Sequence, residues 1–326
     1  MIRHFDTLPD GREVLAVDLA GPQLRATVLT LGATVQDLRL DGVDHPLVLR
    51  LPTSRAYLEE GLYVGAIVGR FANRIGNARF ELDGRTHEVD PNFLGRHLLH
   101  GGSDGIHAHL WQIADVQPAQ VTMTLDLGDG HMGFPGALRI TATLGVSGDA
   151  LDVDLRAVAE AATPCNLAHH GYFDLDGAGD IRGHELWIAA DHYVPVDADL
   201  IPTGEIAPVE GTPFDFRTMR PIGDAGYDHN LCLSPTRQEM RHVATLKGRN
   251  GLRMEIETTE PGLQVYDGAM FGRLVVADGQ VRGPYAGVAL ETQGWPDAPN
   301  QPGFPDAILR PGQEYRALTA YRLVRP

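Results

Sequence analysis

The chain is poor in cysteine, in positive charge and in long apolar runs. Its 326 residues include two cysteines, Cys165 and Cys232, too few for a disulfide scaffold and lacking the Cys-x-x-Cys spacing of a zinc site. They read as reduced thiols. Lysine and arginine number 27 against 43 aspartates and glutamates, a formal net charge of −16. Nucleic acids and anionic bilayers recruit a surplus of cations, so neither is expected as a partner. No stretch nears the roughly 20 apolar residues of a membrane helix. The opening residues, MIRHFDTLPDGREV, contain no apolar signal core, and a cytoplasmic location is expected. Low-complexity tracts, repeats and breaks in composition are also missing. The expectation is one domain over residues 1–326, long enough to bury a core without staples.

What the chain has is turn chemistry. Its 38 glycines and 22 prolines are spread along the whole length. Between them run short alternating stretches: VTMTLDL (121–127), LDVDLRAV (151–158) and GLRMEIETT (251–259). Alternation with period two predicts half-buried antiparallel strands. Asp-Gly pairs at 10–11, 41–42, 83–84, 104–105 and 129–130 suit two-residue hairpin turns. Helical windows are few; TSRAYLEEGL (53–62) is one, with Thr53 or Ser54 as its cap. Strand and helix do not alternate, which argues against a parallel α/β sheet. The fold class expected is all-β, a large antiparallel β-sandwich with few short helices, its two sheets packed face to face.

Six segments carry polar residues where strands prefer apolar ones. In GRFANRI (69–75), Asn73 and Arg74 sit among Phe71 and Ile75, and Arg offers a planar fork of donors. In LLHGG (98–102), His100 precedes two glycines that permit close approach. His97, His107 and His109 lie nearby, the residue type that most often ligates metal, but no helical His-x-x-x-His pattern accompanies them. In NLAHHGYFDLDG (166–177), adjacent His169 and His170 point to opposite faces of a strand, so one can meet a site while the other packs. The segment 196–217, rich in turns, reads as structural. In GYDHN (226–230), Asp228 lies between Tyr227 and His229; in GVALETQGWPDAPNQPGFPD (287–306), an apolar run ends at Glu291. Carboxylates, imidazoles, an arginine, an asparagine and aromatic rings together suit sugar hydroxyls and C–H patches.

In this order, together with IPTGEI, GTPFDFR, GLQVY (262–266), ETQ…PNQP…FP and LRPGQEY (309–315), these segments resemble the aldose 1-epimerase (galactose mutarotase) family over residues 69–315. The resemblance implies a supersandwich of the galactose mutarotase-like type with an open sugar cleft. It implies a cofactor-free, metal-free reaction that interconverts the α and β anomers of a free aldose. By motif, Glu291 is the general base and His170 the general acid; His100, Arg74, Asp228, Asn73 and Gln264 bind sugar hydroxyls. The partner implied is a small monosaccharide, with the protein a monomer or homodimer. Two departures bear on sugar preference: His169 stands where members often have Asn, and Ile106 where an aromatic residue is usual. Three other readings remain open at this point. One is an epimerase of hexose 6-phosphates, which needs a cationic clamp. Another is a non-catalytic sugar-binding protein. The third is a glycosidase, which needs two flanking carboxyl groups.

Overall fold

Period-two burial builds the long elements. In the strand Ala150–Ala159, Leu151, Val153, Leu155 and Ala157 are buried while Asp152, Asp154 and Arg156 are partly exposed. Gln120–Leu127 and Arg253–Thr258 follow the same rule. The computed structural model describes residues 1–60 and 63–326. Ile2–Thr7, Glu13–Ala20, Leu24–Leu29 and Val35–Leu40 make a four-stranded antiparallel meander. A nine-stranded sheet follows in the order Gln112–Gln117, Gln120–Leu127, Leu138–Ser147, Ala150–Ala159, Tyr315–Val324, Arg253–Thr258, Arg241–Lys247, Glu185–Ile188 and Arg220–Pro221. The C-terminal strand Tyr315–Val324 therefore joins the two halves of the large sheet, paired on one side with Ala150–Ala159 and on the other with Arg253–Thr258.

A third sheet carries the chemistry. Its order is Tyr172–Phe173, Val288–Gln293, Gly262–Tyr266, Asp228–Cys232, His192–Tyr193 and Ala207–Pro208. Inner residues of all three sheets share one core: Leu24 and Val28 of the meander, Ile140, Leu155, Ile256 and Tyr321 of the large sheet, and Leu231, Leu263, Val265, Val288 and Leu290 of the third. Full burial of such a side chain contributes roughly 1.5–3 kcal/mol. Hydroxyls also tie the layers. Thr292 Oγ1 lies 2.5 Å from Thr319 Oγ1, which lies 3.2 Å from Thr258 Oγ1.

Turns follow the sequence in part. Asp83 and Gly84 (φ 50° and 75°) close the hairpin Arg79–Leu82 to Arg85–Glu88, the positive-φ pair that a two-residue turn of this hand requires. Asp10-Gly11 turns between the first two strands. Asp41-Gly42, Asp104-Gly105 and Asp129-Gly130 do not close tight hairpins; they open longer connections. The one α-helix among the described residues is Ser54–Glu59, with Thr53 Oγ1 accepting from Ala56 N–H at 3.2 Å as its cap. The last two residues of the helical window, 61 and 62, lie outside the described residues. Among the described residues, no helix is long and apolar enough to cross a membrane.

Candidate active site

The residues singled out in the third sheet reach one face because register aligns them. Glu291 pairs across to Gln264, and Gln264 to Asn230. One step along, Ala289 pairs with Tyr266 and Tyr266 with Asp228. The intervening Val265, Leu263 and Leu290 point into the shared core, so alternation turns Glu291, Gln264 and Asp228 to the opposite face. Loops cover that face, and Glu291 is 2% exposed.

Two other chain segments complete it. The strand Arg74–Ile75 pairs with Leu98–Leu99, and left-handed residues flank the pair, Asn73 (φ 66°) and His100 (φ 49°). Asn73 N–H donates to His100 Nδ1 at 3.1 Å, and His100 N–H returns to the Asn73 carbonyl at 3.0 Å. With Nδ1 accepting, the proton of a neutral His100 sits on Nε2. Burial, with His170 and Arg74 adding to it, holds this imidazole well below its ordinary pKa. The ring is thus a neutral donor. The two glycines after it admit protein, not ligand: backbone at Gly101 and the Met132 and Asp90 side chains at Gly102. A side chain at Gly101 (φ 86°) would place its Cβ 1.9 Å from the Gly69 carbonyl oxygen. Asp297 braces the opposite end: its N–H donates to the Arg74 carbonyl at 2.9 Å, and its Oδ1 accepts from Gly76 N–H at 2.8 Å.

His170 enters from the turn between Ala168–His169 and Tyr172–Phe173, where its N–H donates to the Ala66 carbonyl at 2.9 Å. Its Nε2 lies 3.5 Å from Glu291 Oε1. Burial pushes the imidazole down to about 4. Burial, and then the charge of Asp228, pushes the Glu291 carboxyl well above its usual range, while Arg74 opposes this. These opposed shifts favour the neutral carboxyl beside the neutral imidazole, with the proton one short transfer from the ring. Arg74 Nη2 donates to Asp228 Oδ2 at 2.9 Å, and Gln264 Nε2 donates to Asp228 Oδ1 at 2.6 Å. The Arg74 guanidinium also lies 4.7 Å from the centre of the Phe93 ring. Among the described residues, Arg74 Nε, Gln264 Oε1 and Glu291 Oε2 are buried without a partner. Such groups are costly unless a ligand or water engages them.

All seven residues expected at the site therefore lie together. Six of them line a cleft of about 240 Å³ (Asn73, Arg74, His100, His170, Asp228 and Glu291), and Gln264 supports it from behind Asp228. The volume is near the lower end for small-molecule sites. The side chains not foreseen are the apolar walls: Tyr63, Phe93, Leu99, Tyr172, Tyr266 and Met270. Tyr63 sets its ring centre 4.5 Å from that of His100 and 5.7 Å from that of His170. No local pattern marks Phe93 or Met270 as cleft residues. The remaining histidines divide. His169 faces away from the cleft, with Nδ1 3.4 Å from the Tyr321 hydroxyl. His107 packs behind Tyr63, ring centres 4.6 Å apart. His97 accepts from Asn77 N–H and meets Asp199, and His109 meets Asp104. The 196–217 segment backs the site, with Val196, Leu200 and Pro202 behind Arg74 and Asp228. The letters Gly101-Gly102-Ser103-Asp104-Gly105 match the Gly-x-Ser-x-Gly pattern of nucleophile elbows. Ser103 is exposed, however, and its Oγ meets Met132 Sδ at 3.8 Å, not a histidine. The ligand atoms of His100, His170 and Glu291 lie within 4.8 Å of one another, so these three are the cleft residues that could hold an ion.

A buried carboxyl and imidazole in contact, flanked by donors and aromatic walls on an antiparallel sandwich, define an acid–base site for a small, hydroxyl-rich ligand. The family model described as aldose 1-epimerase matches residues 16–322, and the chain belongs to that family. The galactose mutarotase of Rattus norvegicus is 40% identical over 98% of this chain and 96% of its own length. The aldose 1-epimerase of Escherichia coli K12 is 34% identical over 97% of each. Among solved structures, an aldose epimerase homologue from C. elegans superposes with a TM-score of 0.89 at 28% identity, covering 95% of this chain and 98% of that one. Galactose 1-epimerase from Lactobacillus acidophilus NCFM gives a TM-score of 0.87 at 26% identity, covering 99% and 98%. The sandwich is of the galactose mutarotase-like type.

Proposed function

We propose that the chain interconverts the α and β anomers of a free aldose, with Glu291 as general base and His170 as general acid. The observation that carries this is the contact between them, Nε2 to Oε1 at 3.5 Å within a buried, donor-lined cleft. Opening a hemiacetal takes a proton from the C1 hydroxyl and delivers one to the ring oxygen. Both oxygens sit on one carbon, so an acid and a base in mutual contact can serve both. Transfer of the pair's one proton from Glu291 to His170 gives the carboxylate and imidazolium that start the cycle. After opening, Glu291 holds the proton and His170 is neutral. Rotation about C1–C2 presents the other aldehyde face, and the transfers then reverse. The pair ends as it began. No electron changes hands, and each proton transfer typically contributes ~10²–10⁴-fold.

His100 supplies Nε2–H as a neutral donor, and Arg74 and Asp228, locked to each other, present N–H and carboxylate edges to ring hydroxyls. Asn73 holds His100 in its tautomer, and Gln264 holds Asp228. Aromatic walls meet the sugar's C–H faces. Among the described cleft residues Arg74 is the only lysine or arginine, and Asp228 already engages it. That favours an uncharged monosaccharide over a phosphorylated one. The proposal takes residues 1–326 as one catalytic domain, a monomer or homodimer working in the cytoplasm. Polarimetry on freshly dissolved α-D-galactose, α-D-glucose and α-L-arabinose tests it, with α-D-glucose 6-phosphate as comparison. Faster decay to the equilibrium rotation for the free sugars is expected. No acceleration by folded protein, or faster turnover of the phosphate ester, would overturn it.

A further inference from the structure

Outside the cleft, two loops bring Asp104, His109 and His131 together. His109 Nε2 lies 3.1 Å from Asp104 Oδ1, and His131 Nε2 lies 3.1 Å from Asp104 Oδ2. The three ligand atoms fall within 4.8 Å of one another. The two imidazoles meet edge to face, centres 5.6 Å apart. We propose that this cluster is a divalent transition-metal site at the rim of the molecule, taking Zn²⁺ or a similar borderline ion on two imidazole nitrogens and one carboxylate.

Spacing supports this. Ligands on bonds of about 2.0–2.1 Å in a tetrahedral zinc site stand roughly 3.3 Å apart; each imidazole nitrogen lies 3.1 Å from a different oxygen of the one Asp104 carboxylate, and one atom from each residue falls within 4.8 Å of the others. The donor set is the one such ions favour, where magnesium and calcium take oxygen alone. The backbone already holds the ligands in place. His131 follows Gly130 (φ 79°) and precedes Met132 (φ 51°) and Gly133 (φ 85°). A Cβ at Gly133 would stand 2.1 Å from the Glu88 carbonyl oxygen, so this loop is seated against Glu88. Asp90 N–H donates to the Met132 carbonyl at 3.1 Å. On the other loop, a Cβ at Gly105 would stand 2.6 Å from the His100 carbonyl oxygen, and Gly32 N–H donates to the His109 carbonyl at 2.8 Å. Ligands fixed before the ion arrives lose little entropy when it binds.

Proton balance is simple. The ion takes the Nε2 lone pair of each imidazole in the tautomer with its proton on Nδ1, so it replaces the Nε2 hydrogen bonds now made to Asp104, that of His109 to the Asp104 carbonyl oxygen at 3.1 Å included. The Asp104 carboxylate is the third ligand. Its side chain is 54% exposed, so water can complete the coordination. The loop of Asp104 adjoins His100 through Gly105, so an ion here would pin the rim of the cleft without entering it.

Calorimetric titration of the apo protein with Zn²⁺, and with Co²⁺ followed by its visible absorption, tests the site. The expected result is one equivalent bound. Asp104→Asn and His131→Gln should each weaken binding by at least tenfold, on the scale set by losing even an outer partner, and saturating galactose should leave binding unchanged. These positions are outside the acid–base pair, so mutarotation without added metal should stay at the wild-type level. Three results would overturn the proposal: no binding up to millimolar Zn²⁺; binding unchanged in both variants; or binding lost in His170→Asn or with galactose, which would put the ion on His100, His170 and Glu291. In the first case the cluster is a hydrogen-bonded clasp only.

Discussion

Replacing Glu291 with Gln should lower activity and raise stability together. The amide keeps the shape of the side chain on Val288–Gln293 beside Gln264, so packing is retained. It cannot take a proton from the C1 hydroxyl. Removing one proton-transfer group costs ~10²–10⁴-fold in kcat, about 3–5 kcal/mol of barrier. The contact at 3.5 Å to His170 Nε2 also disappears as a charge pair. Opposite unit charges at that separation attract by roughly 5 kcal/mol at an effective dielectric near 20, the attraction that lets the ionised pair form in a dry cleft. Stability moves the other way. Burial and Asp228 raise the folded-state pKa of Glu291 above its unfolded value of 4.5, so between those two values the folded state holds the extra proton. Stability therefore falls as pH climbs through that window, at about 1.4 kcal/mol per pH unit. The amide escapes this loss. Polarimetry and urea unfolding at pH 5 and pH 8 read both effects. Glu291→Gln should be the more stable protein at pH 8, with the difference shrinking toward pH 5. Turnover within tenfold of wild type, or a variant less stable at both pH values, would refute the reasoning.

Two further outcomes follow from the same geometry. Burial lowers His107 and His170 to about 4, His169 to about 3 and His100 well below 6.5. Because the unfolded chain binds those protons first, the urea midpoint should drop steeply as pH falls from about 6.5 toward 4, and His169→Asn should flatten the slope by close to one proton, ~1.4 kcal/mol per pH unit; a midpoint that stays level would contradict the shifts. Gly101→Ala should disorder the His100 turn, because its Cβ would stand 1.9 Å from backbone. We expect a loss of several kcal/mol, beyond the ~1 typical of a substitution, with any soluble fraction inactive by polarimetry; a stable, active variant would mean the turn can shift.

The sandwich was legible because alternation is local. Leu151, Val153 and Leu155 announce their face within one strand, and the structure buries them. The site was legible for a different reason, through polar letters breaking that alternation. Glu291 ends an apolar run, and Asp228, Arg74 and His100 each stand where a strand would otherwise be plain; Gln264 comes only with the family resemblance. What the letters do not carry is register. That Glu291 faces Gln264 and Gln264 faces Asn230 depends on pairing between residues 27 and 34 positions apart in the chain. Turn chemistry is likewise incomplete. Asp83-Gly84 closes a hairpin because strands flank it on both sides, whereas Asp104-Gly105 lies where the chain must pass beneath the His100 carbonyl. The apolar walls were least legible of all. Tyr63 and Phe93 belong to loops with no periodicity, and only folding brings them onto His100 and Arg74. The chemistry of the site is thus written in residue type, while the shape that selects among sugars depends on where these loops carry their rings. The apolar walls, not the acid–base pair, are therefore the place to look for substrate preference.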